Sequence, residues 1–175
     1  SLIIVHTDAK GFSVAKKLKK MGNWASDTAE LVFDNVRVPV SNRIGEEGMG
    51  FIYQMQQFQN ERLVSALGAA AGADKILKMT IEYCRGRSTF GKPLIENQWI
   101  YFKLTELISE VEFLKQMCYH CGRMMDRGED YTREASMAKL KAGRLVRQVA
   151  DTCLQFHGGM GYMEEYPMAR YFRDS

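Results

Sequence analysis

Three short stretches of the chain carry residue types that can do chemistry. The first is Glu61-Arg62, a carboxylate and a guanidinium side by side, followed by Leu63, Val64, Ala66, Leu67 and a series of alanines and glycines through Ala73. Charges placed among small residues fit either a structural ion pair or a place where another molecule approaches the backbone closely. A partly buried carboxylate there would have a raised pKa and could act as a general base near neutral pH. The second stretch is Arg85, Gly86, Arg87, Ser88, Thr89, Phe90, Gly91, Lys92. Its guanidiniums suit phosphate through their bidentate fork, and they equally suit a helix C-terminus, where the dipole favours cations. The third runs from Gln155 to Tyr162, with Gly158, Gly159 and Gly161 close together. One glycine would be a C-cap; three suggest backbone lying against a ligand or a neighbouring subunit.

Two further groupings have plainer readings. Gly45, Gly48 and Gly50 superficially resemble a phosphate loop, but Glu46 and Glu47 would repel an anion and no Lys-Ser or Lys-Thr pair follows. The segment reads as a flexible connection between domains. Cys118 and Cys121 have the spacing of half a metal site, without a second half nearby; His6 and His157 are distant in sequence. Core packing is the better reading, and no metal is expected.

The elements that must position these residues are mostly helices. From Gly48 the period is helical, with Phe51, Met55, Phe58, Arg62 and Ala66 on one stripe of a helix predicted to end near Arg85. A second, from about Glu96 to Arg127-Gly128, carries Leu107, Val111, Leu114, Cys118, Cys121 and Met125. A third follows Thr132, a potential N-cap, with Ala138, Ala142, Leu145, Val149 and Leu154 on its stripe, and ends at Gly158-Gly159. A fourth is expected from Pro167. Before Gly45 the pattern differs. Leu2 to Thr7 and Glu30 to Val38 read as strands, the latter slipping at Asp34-Asn35, and Lys16 to Lys20 reads as a solvated polar connection. The fold class is therefore mainly α, an antiparallel up-down bundle of four-helix type preceded by the last strands of a β-domain.

Composition narrows the function classes. The 175 residues set a prior of roughly one domain. Lys plus Arg number 24 against 21 Asp plus Glu, and the charges are interspersed, so no nucleic-acid or membrane footprint is carried by net charge. No apolar run is long enough to span a bilayer. The even number of cysteines, 4, falls in helical segments, which argues for reduced, buried thiols rather than a disulfide scaffold. The first residue is not Met, and the chain is expected to be a piece of a longer one.

Taken together, Met21-Gly22, Ser26-Asp27-Thr28, Phe33 to Pro39, Glu61-Arg62, Arg87 to Gly91, Gln98, Gln155 to Tyr162 and Tyr166-Pro167 leading to Arg173-Asp174 resemble the flavin-dependent acyl-CoA dehydrogenases along the whole chain. The resemblance implies that residues 1–44 are the tail of a middle β-domain, and 45–175 most of a C-terminal helical bundle domain, incomplete at its end. It implies FAD as cofactor, with Arg87, Thr89, Phe90, Asn97 and Gln98 on the flavin nucleotide. Gln155, Gly158 and Gly159 would approach the pyrophosphate of a partner subunit's FAD. Gln59 and Arg62 would lie along the acyl-CoA. The implied reaction is α,β-desaturation of a fatty or branched acyl-CoA to the trans-2-enoyl-CoA. Glu61 is the implied base, as in the minority of members that place it on this helix; the alternative is a carboxylate beyond Ser175. The resemblance further implies an electron-transfer flavoprotein as acceptor and a homotetramer built as a dimer of dimers. The compartment would be the mitochondrial matrix if eukaryotic and the cytoplasm if bacterial. The isolated segment is expected to be inactive. Two competing readings are an acyl-CoA oxidase-like flavoprotein and a non-catalytic helical assembly module.

Overall fold

The computed structural model describes residues 1–175, which form two compact units, Ser1–Phe58 and Gln59–Ser175. The first unit is built on β-ribbons. Strand β1 (Leu2–Ile3) pairs antiparallel with β4 (Arg43–Ile44), Leu2 opposite Ile44. Strand β2 (Phe12–Lys17) pairs antiparallel with β3 (Ala29–Phe33), with Phe12 opposite Phe33 and a bulge between Val14 and Lys16. The rings of Phe12 and Phe33 meet edge to face at 5.3 Å, a favoured cross-strand pair.

Three expectations need correcting here. Leu2 to Thr7 is a strand only over Leu2–Ile3. Lys16 and Lys17 belong to β2 rather than to a connection; two consecutive lysines hide the alternation that marks a strand. The second expected strand stops at Phe33 because Asn35 takes a left-handed conformation, φ 51°, which turns the chain out of the ladder. The Gly45–Gly50 segment makes two specific hydrogen bonds. Gly48 N–H donates to Ser1 Oγ at 3.1 Å and Glu46 N–H to Tyr53 Oη at 3.1 Å.

The second unit is the bundle, composed of α1 (Gly50–Gly86) from Gln59 onward, α2 (Gln98–Asp126), α3 (Thr132–His157) and the short α4 (Pro167–Asp174). The connections are too short for anything but antiparallel neighbours. Helix α2 ends in a Schellman motif, with Gly128 at φ 68°, Glu129 N–H on Met124 O at 2.9 Å and Gly128 N–H on Met125 O at 3.0 Å. Thr132 is the first helical residue of α3 rather than its N-cap; Asp130 accepts its N–H at 2.9 Å.

The core is one cluster in which small and large residues alternate across the helices. Helix α1 contributes Ala66, Ala70, Ala73, Leu77 and Cys84; its buried stripe starts at Leu63, and Phe51 is exposed. Helix α2 contributes Leu104, Leu107, Val111, Leu114, Cys118 and Cys121, and α3 Ala138, Ala142, Leu145, Val149 and Cys153. Alanines on α1 and α3 take little volume and leave the space of the core to α2's leucines. All four cysteines are free and buried; burial pushes the Cys84 and Cys153 thiols up to about 11. Met168 of α4 packs on Thr80, whose hydroxyl donates to Ile76 O at 2.9 Å. Between α1 and α2 the core is tied by Lys115 Nζ to Asp74 at 2.8 Å. No helix is long and apolar enough to cross a membrane.

Candidate functional site

At the C-terminal end of α1 the chain makes one further helical bond, Arg87 N–H to Tyr83 O at 2.9 Å, and then a tight hairpin. Strands β5 (Ser88–Thr89) and β6 (Lys92–Pro93) pair antiparallel, and Phe90 and Gly91 form the two-residue turn at φ 53° and 81°. Both central residues of such a turn need positive φ, a conformation suited to Gly or Asn and costly for an aromatic. Phe90 nonetheless occupies it, with its ring fully exposed. Leu94 N–H closes back on Arg87 O at 2.8 Å, so the hairpin fixes where Arg87 stands.

The C-terminal end of α3 faces this hairpin. Gly158 leaves the helix at φ 56°, and a short 3-10 turn spans Gly158–Tyr162. The three glycines there have different reasons. A Cβ on Gly161 would lie 2.4 Å from Leu154 O, so Gly161 lets the turn fold back on its own helix. A Cβ on Gly158 or Gly159 would meet only open space.

Between these two helix ends lies a cleft of about 660 Å³. It is lined by Arg87 and Thr89 from the hairpin, by Gln155, Gly158 and Gly159 from the end of α3, and by Tyr83, Trp99, Phe156, His157 and Met163, among others. Five residues singled out in the sequence thus converge on one concavity. Phe90, Asn97 and Gln98 are not part of its lining. Asn97 Nδ2 donates to Leu94 O at 3.1 Å, capping the turn that opens α2, and Gln98 is the first residue of that helix. The two readings of the Arg85–Lys92 stretch divide between its cations: Arg85 pairs with Glu82 at 2.7 Å on the helix end, whereas Arg87 lines the cleft.

The cleft's floor is aromatic. Trp99 and Phe156 meet edge to face at 5.2 Å, and the His157 ring stacks on Tyr83 at 4.1 Å. Tyr83 Oη donates to His157 O at 3.2 Å, and His157 Nδ1 lies 2.8 Å from Cys153 O. A carbonyl can only accept, so Nδ1 carries the hydrogen. Burial holds the His157 pKa below the ordinary imidazole value, against a smaller opposing effect of the Cys153 carbonyl. Tyr83 and Trp99 were not singled out from the sequence as site residues, and His157 entered only as part of the Gln155–Tyr162 stretch. The available signal was spacing: Tyr83 is four residues before Arg87, one turn away on the same face.

Glu61, Gln59 and Arg62 lie elsewhere. A rise of about 1.5 Å per residue places Glu61 roughly 40 Å along α1 from Arg87. Glu61 is exposed rather than partly buried. Nor does it pair with Arg62, whose guanidinium donates to Gln59 Oε1 at 2.9 Å.

The cleft has what a phosphate-bearing, flat ligand needs: a guanidinium, a hydroxyl, open glycine backbone and aromatic walls, in a volume usual for small-molecule sites. Comparison with known proteins gives the family. A family model described as the C-terminal domain of acyl-CoA dehydrogenases matches residues 48–175, and the chain belongs to the acyl-CoA dehydrogenase family. It is 38% identical over 175 residues to the acyl-CoA dehydrogenase of Bacillus subtilis (strain 168), covering 100% of this chain and 46% of that one. It is 41% identical to the mitochondrial long-chain specific acyl-CoA dehydrogenase of Rattus norvegicus, covering 100% of this chain and 41% of the relative. The crystal structure of acyl-CoA dehydrogenase from Geobacillus kaustophilus superposes with a TM-score of 0.97 at 40% identity, over 99% of this chain and 46% of that one. The chain therefore spans less than half the length of these relatives.

Proposed function

We propose that the complete protein is a flavin-dependent acyl-CoA dehydrogenase that desaturates an acyl-CoA thioester between its α and β carbons. In this reading residues 1–44 end its middle β-domain and 45–175 make up most of its C-terminal helical domain. The observation that carries the proposal is the convergence of Arg87, Thr89, Gln155, Gly158 and Gly159 on one cleft. Arg87 would hold phosphate as a charged fork, Thr89 and Gln155 would add neutral hydrogen bonds, and the glycines would let the nucleotide reach the backbone. Phe90, Asn97 and Gln98 would flank it. FAD, when bound, supplies the acceptor for the β-hydrogen, which leaves the substrate as hydride.

Glu61 would take the α-proton of the thioester while Gln59 and Arg62 bind along the acyl-CoA. The bonding pair of the lost α-hydrogen becomes the new double bond, giving the trans-2-enoyl-CoA. The distance along α1 between Glu61 and Arg87 is more than one dinucleotide spans, so the two ends of a single chain would serve different active sites. That supports a homo-oligomer; in this reading it is a dimer of dimers, and the acceptor is an electron-transfer flavoprotein, as the family resemblance implies. Reduced, buried thiols suit the mitochondrial matrix in a eukaryote and the cytoplasm in a bacterium.

The test mixes the complete protein anaerobically with a panel of saturated acyl-CoAs and follows the flavin absorbance, with Glu61→Gln alongside. Bleaching in the wild type and its loss in the variant, at equal FAD content, is the expected result. Bleaching that survives the substitution moves the base beyond Ser175. A colourless, unreactive wild type would favour the assembly module, and rapid oxygen uptake with acyl-CoA an oxidase.

A further inference from the structure

His157 is the one ionisable side chain that is both nearly sealed, at 3% exposure, and part of the cleft wall. It is held on three sides. Its ring stacks on Tyr83 at 4.1 Å, the Tyr166 ring meets it edge to face at 5.6 Å, and Nδ1 gives its hydrogen to Cys153 O. With Nδ1 as the donor, the neutral imidazole leaves Nε2 as a bare acceptor. Nε2 has no partner in the chain and is not sealed from solvent, so it opens on the cleft that the side chain lines. An acceptor in so confined a place is satisfied by a donor that enters the cleft.

The surroundings decide which protonation state binds. The titratable and charged groups around the ring are Tyr83 of α1, Arg87 just past that helix, Cys153 one turn back on α3 and Tyr166 ahead of α4. Helix α2 presents only Trp99 and Ile100 to the cleft. No carboxylate is there to hold an imidazolium, and the one fixed charge in the lining, the Arg87 guanidinium, repels it. Burial acts in the same direction. Phosphate in the cleft is therefore left to Arg87, and Nε2 suits the opposite kind of partner, an O–H or N–H of the nucleotide.

We infer that His157 Nε2 accepts a hydrogen bond from a hydroxyl or amino group of the dinucleotide, and that FAD binding is thereby linked to loss of a proton from this side chain. The inference rests on the proposed seating of FAD in the cleft. The ribityl chain and the ribose offer hydroxyls, and adenine offers an amino group. In the charged imidazole Nε2 carries a hydrogen of its own, which opposes the ligand's donor. Binding expels it to solvent as a proton, with no change in the redox state of the cofactor.

The experiment uses the complete protein freed of flavin, with its fold followed by circular dichroism at each pH. By linkage the Kd for FAD rises as pH falls below the lowered His157 pKa, at a limiting slope of about tenfold per pH unit. Calorimetry in two buffers of different ionisation enthalpy reads the released proton directly. His157→Phe keeps a ring against Tyr83 and removes the acceptor. Its Kd at neutral pH is about five- to tenfold higher, and it loses both the slope and the proton release. His157→Gln offers an amide carbonyl that does not titrate, so it recovers part of the affinity and stays flat with pH. AMP and FMN, the two halves of the dinucleotide, locate the donor: a slope with AMP places it on the adenosine, a slope with FMN on the ribityl chain, and either supports the inference. A Kd that falls on acidification overturns it, because the imidazolium would then serve a phosphate. So does a wild type without proton release, or a His157→Phe variant with wild-type affinity. A complete protein that binds no FAD removes this inference together with the cleft as the seat of the cofactor; FAD bound with His157 inert removes this inference alone.

Discussion

Replacing Phe90 with asparagine should strengthen the apoprotein and weaken its hold on FAD. Phe90 sits at φ 53° in the hairpin turn with its ring fully exposed. The left-handed conformation costs a residue with a bulky Cβ on the order of 1–2 kcal/mol, which asparagine largely avoids. No contact within the chain repays that cost, so Phe90→Asn should raise apoprotein stability by about 1 kcal/mol, read as a higher denaturant midpoint at unchanged m. Under the proposed function, FAD bound in the cleft that the hairpin borders would cover the ring. Burying it is worth roughly 1.5–3 kcal/mol, so the Kd for FAD, from quenching of flavin fluorescence, should rise roughly ten- to a hundredfold. Opposite signs in the two assays are the point of the prediction. A variant that gains stability and keeps FAD affinity within twofold would refute the reasoning, because the strained aromatic would then have no function at this site.

Leu107 is 1% exposed at the centre of the core; Leu107→Ala should cost about 3 kcal/mol, because the alanine-lined helices around it cannot collapse into the space. Asp74 is held below its usual range first by its hydrogen bond to Lys115 and then by Lys78. That contribution is complete above the ordinary carboxylate pKa and lost as pH falls through the lowered one, so Asp74→Asn should cost about 0.5–1 kcal/mol near neutrality and nothing in strong acid, by denaturation across pH. His157 titrates below its ordinary value of 6.5 because it is buried. Its contribution is therefore complete above 6.5 and lost as pH falls through the depressed value, and His157→Phe, which keeps a ring against Tyr83, should flatten that part of the stability profile.

The helices were legible because their apolar period is long and their ends are marked. Gly86 lies just past the stripe of α1, Gly128 stops α2 in a left-handed cap, and Pro167 opens α4. The β-ribbon was less so: Lys16-Lys17 in β2 break alternation, and Asn35 ends β3 through a backbone conformation that composition does not announce. Arg87, Thr89, Gln155, Gly158 and Gly159 were recognisable by type, and their convergence depends on α1 and α3 ending at the same height of the bundle. What a linear reading could not see was that Gly161 serves its own helix while its neighbours face the cleft. It also could not see that Tyr83 and His157 brace the site through stacking and two carbonyl hydrogen bonds.

The proposed function requires the cleft to be the seat of FAD. The most direct measurement is the Kd for FAD of the complete protein against Arg87→Gln, which removes the one charged fork in the lining while preserving length and polarity. Loss of a charge-assisted phosphate contact predicts a Kd roughly ten- to a hundredfold higher, with the apoprotein's denaturation midpoint unchanged. An FAD affinity equal to wild type would contradict the assignment and place the cofactor elsewhere.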